Sequence, residues 1–258
     1  MTRCVICQKN VEKNVDVCEN CRKKYPPNII YEKGFANFIK KAEEQKLICT
    51  PDTRTISSSF IDYILEKIRK NDKILDIGCG RGHLSNLFQK KGLNIVALDF
   101  SRMNVNFCHK LGLETFCADA TALPFRDRSF ELVYSNELIE HLFHPAKHFQ
   151  EVFRVLSDDG HYIIKTPNRL FDEIYYRFIK RKKDFQFFHP STLFYFQIKK
   201  RISKAGFKVK INNLRELAPS QLEKISQLYF LKNSIVSFLR YLPIPIQPAF
   251  IIDCEKEI

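Results

Sequence analysis

No stretch of this 258-residue chain is apolar for long enough to cross a bilayer, and its first ten residues read MTRCVICQKN. A span needs about 20 consecutive apolar residues, and a secretory leader needs an apolar run near its start. Neither is found, so a cytoplasmic location is expected; peripheral contact with a membrane remains compatible with that. Acidic residues are also scarce: Lys plus Arg total 42 against 29 Asp plus Glu, a net charge of +13. That excess suits an anionic partner such as RNA, DNA, a phospholipid headgroup or a phosphorylated metabolite. A generally lysine-rich composition would give the same count. The nine cysteines are too unevenly spread for a secreted disulfide framework.

Four of those cysteines form two pairs near the start, Cys4-x2-Cys7 and Cys18-x2-Cys21. Zinc takes four thiolates in a tetrahedron, and a C-x2-C turn presents two sulfurs to one ion. A piece this short has too few apolar residues to fold alone, so the metal would supply its stability. Residues 1–24 are therefore expected to be a zinc-ribbon-like module with structural zinc. All four positions are filled by protein, which leaves no open site for metal catalysis. Residues 25–58 read as a linker: YPPN is a rigid break, and 34–46 suits a short amphipathic helix.

From residue 59 onward, helical and extended patterns alternate. Helices are expected at 59–70, 83–92, 101–112 and 145–156, and strands at 73–77, 94–99, 114–119, 130–135 and 160–166. Such alternation with short loops predicts an α/β domain with a largely parallel sheet and helices on both faces.

Gly78-Cys79-Gly80-Arg81-Gly82 follows the first strand and opens the next helix. Ligands of such sheets lie beyond the carboxyl ends of the strands, and glycines let the backbone approach them. Asp76, just before the glycines, would repel a pyrophosphate but attract a cationic amino group. Asp99, ending the second strand, suits a ribose diol. Asp119, ending the third, can accept from an exocyclic adenine amine. An amine, a ribose and a base without phosphates describe S-adenosylmethionine better than NAD.

The ordered segments LDIGCGRG, ALDFS, CADATALPFRDRSFELVYSNELIEHL and FRVLSDDGHYIIKTPNR resemble the class I S-adenosylmethionine-dependent methyltransferases. The likeness covers about residues 55–212 and is strongest toward small-molecule and quinone-biosynthesis O-methyltransferases. The N-terminal cysteine pairs depart from that branch. They are loosely similar to the zinc module of a family of ribosomal RNA guanine methyltransferases. The resemblance implies a Rossmann-like sheet of seven strands in the order 3-2-1-4-5-7-6, the last antiparallel, spanning 59–258. FKVKI (207–211) and AFIIDCEK (249–256) would be its final strands. It also implies that Gly78, Cys79, Gly80 and Gly82 line the methionine half with Asp76. Asp99 would hold the ribose, Phe100 border the adenine, Asp119 and Ala120 contact the base, and Asn136 sit beside the methionine part with Ser135.

Two insertions flank the expected acceptor pocket. Residues 169–190 carry Arg177, Lys180, Arg181, Lys182 and Lys183, a solvated face or a phosphate-binding one. Residues 212–248 combine apolar helical spacing with LPIPI, which suits a lid, a membrane contact or a greasy substrate. Candidate bases are His141 and His189, with Glu140 orienting a histidine or binding a proton; each also has an ordinary structural reading. His144 and His148 are expected on or near a surface helix. No Asn-Pro-Pro-Tyr-type tetrad follows the fourth strand, which disfavours the common amino-methylating DNA and glutamine enzymes. A small-molecule acceptor, hydrophobic or phosphorylated, is the first expectation and RNA the second. A protein acceptor or a non-catalytic scaffold comes after them.

Overall fold

The computed structural model describes residues 2–3, 10–11, 56–174, 191–212 and 243–257. Cys4, Cys7, Cys18, Cys21, the linker helix, the basic run at 177–183, His189 and residues 213–242 lie outside the described residues. Near the start, a two-residue antiparallel ladder pairs Thr2 with Val11 and Arg3 with Asn10.

Seven strands form the main sheet: β1 Lys73–Ile77, β2 Asn94–Asp99, β3 Glu114–Cys117, β4 Phe130–Asn136, β5 Leu156–Pro167, β6 Phe207–Asn212 and β7 Ala249–Lys256. Their order is β3-β2-β1-β4-β5-β7-β6. The first five strands in that order pair in parallel, and β7 runs antiparallel to both neighbours. This is the order expected from the sequence.

Strand side chains alternate between faces, and the core divides accordingly. On one face Ile74 of β1 and Ile95 of β2 pack with Phe60 and Ile64 of α1 (Ser58–Lys67) and with Leu84 and Phe88 of α2 (His83–Lys90). Cys108 of α3 (Arg102–Lys110) joins them. On the other face Leu75, Ile77, Val96 and Leu98 join Phe149 and Val152 of α4 (Pro145–Val155). A short α5 (Arg169–Ile174) leaves β5, and α6 (Tyr195–Ser203) adds Ile198 and Ile202 to the second cluster. Strands covered on both faces are nearly all apolar for this reason. Local chemistry marks the ends of helices. Ser101 caps α3 by accepting from Asn104 N, and Pro145 opens α4, where a missing N–H costs nothing.

Two differences from the sequence reading stand out. β5 starts at Leu156 rather than 160, because Ser157-Asp158-Asp159-Gly160 stays extended past a register shift against β4. β3 stops at Cys117, so Asp119 belongs to the loop after it. Three strands across the sheet from β1, Asp253 of β7 takes a hydrogen bond from Tyr63, an ion pair from Lys67 and a contact with His161. These bonds pin α1 across β5 and β7. Among the described residues no helix is long and apolar enough to cross a membrane.

Candidate active site

The carboxyl ends of β1, β2 and β4 and the loop after β3 meet at one edge of the sheet. The glycine loop is sewn to β2 there. Gly78 N and Cys79 N donate to Leu98 O at 2.7 and 3.1 Å, and Gly80 N donates to Asp99 Oδ2 at 2.8 Å. Gly80 has φ +54°, and a Cβ there would meet nothing within 4 Å, so the loop turns bare backbone to open space. Gly82 is the opposite case. At φ +73° a Cβ would lie 2.6 Å from Leu113 Cδ1 and 2.8 Å from Cys108 Sγ. That glycine is required by packing rather than by ligand approach.

Asp76 is 3% exposed and accepts from Ser85 Oγ at 2.5 Å. Burial pushes its pKa up to about 7, against the Ser85 bond and aided by the nearby Asp99 charge. Asp99 is 9% exposed. Its Oδ1 accepts from Ser101 N at 2.8 Å and Asn104 Nδ2 at 3.0 Å, while Oδ2 takes the Gly80 N–H. Burial raises its pKa too, and those three donors oppose the rise. Phe100, 60% exposed, stands next to it on the rim. Asp119 is exposed and folds its own turn, with Oδ1 accepting from Thr121 N at 2.7 Å and Thr121 Oγ1 at 2.9 Å. Ala120 is buried, and half-buried Asn136 ends β4.

Cys79 contributes through its backbone. Its thiol lies 3.8 Å from Cys108 Sγ and packs with the α1–α3 cluster.

The acceptor side is built after β4. Glu137 adopts φ +55° and holds the fully buried Lys165 ammonium at 2.5 Å. Glu140 and His141 follow in the turn Ile139–His141. Glu140 is wholly buried, and its Oε2 accepts from Thr166 Oγ1 at 3.1 Å. Its Oε1 has no partner among the described residues. Burial, then the Glu137 charge, lifts its pKa well above the carboxylate range. Burial beside Glu137 thus favours the neutral form of Glu140 relative to an ordinary carboxylate. His141 is half-buried, with its N–H on Leu138 O at 2.9 Å.

Sequence reasoning missed several residues here. Ser85, Asn104 and Cys108 reach the site from other segments, and nothing local marks them. His148 is a correction: it is fully buried, not on a surface face. The spacing of Phe149, Val152 and Val155 signalled this, because His148 lies on the same stripe. Burial pushes its pKa down to about 4.

The donor set fits a cationic adenosyl ligand. Two buried carboxylates flank the glycine loop, where a pyrophosphate would be repelled. The nearby Arg81 guanidinium stacks on Phe107 at 4.3 Å. The fold and this edge together have the form of a methyltransferase domain of the class I S-adenosylmethionine-dependent kind.

Comparison with known proteins agrees. Residues 75–164 match the family described as "Methyltransferase domain". The chain is 32% identical over 166 residues to an uncharacterized protein of Methanocaldococcus jannaschii, covering 62% of this chain and 66% of that one. It is 31% identical over 120 residues to the ubiquinone biosynthesis O-methyltransferase of Rickettsia prowazekii, covering 42% and 48%. The chain thus spans about two thirds and about half of these two relatives. A chain from the complex of the Haloferax volcanii Trm112 methyltransferase activator with a methyltransferase superposes with TM-score 0.60 at 15% identity, covering 90% of this chain and 98% of that one. At that identity the likeness concerns the fold alone.

Proposed function

We propose that this protein transfers the methyl group of S-adenosylmethionine to an oxygen or nitrogen of a small-molecule acceptor of lipid- or quinone-like character. The observation that carries the cofactor reading is the bare Gly80 backbone bonded to Asp99 beside the buried Asp76. When bound, the cofactor supplies an activated sulfonium methyl, and the protein's work is placement. Asp76 faces the amino group, Asp99 and Phe100 the ribose and base, and Asp119 the exocyclic amine. On the acceptor side His141 takes the acceptor's proton, with His189 the alternative, and buried Glu140 forms a polar wall with Thr166 and would orient the histidine or bind a proton. The acceptor class rests on the likeness to the ubiquinone enzyme and on the apolar sequence of 212–248. The four N-terminal cysteines are read as a structural zinc site.

The test is a label transfer. Purified protein is incubated with methyl-labelled S-adenosylmethionine and RNA-containing lysate from its own source, and label is counted in organic-extractable, RNA and protein fractions. Label in the organic fraction is expected. Label in RNA would replace this reading with the second one, which the +13 charge favours.

A further inference from the structure

The loop from Ala118 to Phe125 bears Asp119, yet it leaves an edge strand and has no outer strand to lean on. Its backbone is held instead by one face of α4. His148 Nδ1 lies 2.8 Å from Ala120 O. A carbonyl only accepts, so Nδ1 carries the proton and Nε2 must accept from Tyr162 OH, 2.8 Å away. Tyr162 OH in turn lies 2.9 Å from Ser135 Oγ at the end of β4. One helical turn later Glu151 Oε2 accepts from Leu123 N at 2.8 Å. After a further turn Arg154 donates to Leu123 O at 3.0 Å and Phe125 O at 2.7 Å, while its Nε and Nη2 hold Glu151. Residues 148, 151 and 154 thus form a ladder spaced by three along the helix, and each rung bonds loop backbone as well as another side chain.

We propose that this His148–Glu151–Arg154 face sets the base selectivity of the cofactor site by fixing the loop that presents Asp119. The proposal rests on the S-adenosylmethionine reading above. Asp119 shapes its own turn through Thr121, and Ala122 N closes that turn on Asp119 O at 3.0 Å. The turn as a whole is oriented through its flanks and through Ala120 and Leu123, which pack into the core cluster. At one flank Ala118 N bonds Asp99 O at 3.1 Å, beside the ribose acid. At the other stand the three α4 side chains. A carboxylate discriminates an amine from a carbonyl only if it is held in place, since a mobile one turns away from the unfavourable partner. His148, Glu151 and Arg154 are therefore positioning residues that touch no ligand.

The test compares binding of S-adenosylhomocysteine with its inosine counterpart, in which a carbonyl replaces the exocyclic amine, by calorimetry on the full chain. The wild type is expected to prefer the adenosine form by on the order of tenfold or more, the worth of a hydrogen bond to a charged group. His148→Ala and Glu151→Ala each reduce that ratio several-fold. His148→Asn, whose amide can donate to Ala120 O, restores part of it. Glu151 is only half-buried, so its variant remains folded if His148→Ala does not. Ile64→Ala, a buried α1 change on the opposite face of the sheet, lowers stability but keeps the ratio. An unchanged ratio in folded Glu151→Ala, and in His148→Ala where that variant folds, overturns the inference and leaves the cofactor reading intact. An equal fall in Ile64→Ala also overturns it. A wild type that binds neither compound overturns the cofactor reading, and this inference with it.

Discussion

Two buried groups carry opposite pH signatures. Asp76 has a folded pKa near 7, above its ordinary 3.8, so the folded state holds the proton more tightly than the unfolded chain does. Its contribution to stability therefore falls as pH rises from about 4 to about 7. His148 is the reverse, with a folded value near 4 against an ordinary 6.5. Its contribution is full above about 6.5 and declines as pH drops toward 4, by about 3 kcal/mol in all. The two effects oppose each other over one window. Urea titrations between pH 4 and 7 should therefore separate on mutation: Asp76→Asn should make acid loss steeper, and His148→Asn should make it shallower. The same Asp76 shift bears on function. A ligand ammonium favours the carboxylate, so S-adenosylmethionine should bind more tightly as pH rises through about 7 and release a proton as it does. Calorimetry in buffers of different ionisation enthalpy checks this, and Asp76→Asn should flatten the curve. Asp99→Ala should weaken the cofactor by on the order of 100-fold, because it removes the ribose partner and the acceptor that fixes Gly80 N–H.

At the scale of elements, the joints matter more than the strands. Gly82 ends the glycine loop in the left-handed region and leaves no room for a Cβ. Gly82→Ala should cost about 2 kcal/mol or more, read as a lower urea midpoint, from backbone strain plus displacement of Leu113 and Cys108. Asn168, fully buried after β5, donates to Pro245 O at 3.1 Å and Gln247 O at 2.7 Å and accepts from Leu170 N at 3.1 Å. It ties the end of β5 to the proline-rich approach to β7. Asn168→Ala should destabilise by about 2–4 kcal/mol in the same assay, since it leaves the buried Gln247 O and two part-buried backbone groups to find other partners. Much of this scale was legible in sequence. The apolar runs of β1, β2 and β7 have the expected limits, because a strand buried on both faces has a sharp compositional edge. The start of β5 was not legible, because Ser-Asp-Asp-Gly has turn chemistry and only pairing beyond it keeps it extended.

For the whole molecule, ligand and metal linkage give the broadest checks. Saturating S-adenosylmethionine should raise the melting temperature, since a ligand at 100 times its Kd adds about 2.7 kcal/mol to the folded state. If the cysteine quartet holds zinc, verified metal removal should lower stability of the N-terminal module, and an unchanged melt would remove that assignment. Seven strands in this order place the first four carboxyl ends at one edge, so the motif residues Asp76, Gly80, Asp99 and Asp119 are neighbours despite their separation in the chain.

The sequence by itself determined the alternation of elements, the order of the motifs and the acids Asp76 and Asp99 near the ends of β1 and β2. Those follow from hydrophobic period and from residue types that a local window contains. The tertiary structure decided which polar groups meet: Ser85 with Asp76, Asn104 with Asp99, and His148 with Ala120 and Tyr162. Hydrogen bonds between distant segments depend on the packing of helices over the sheet, and no local pattern encodes a partner. Burial decided the rest, because only the folded chain sets how much water reaches Glu140, Asp76 and His148, and hence which of them is charged.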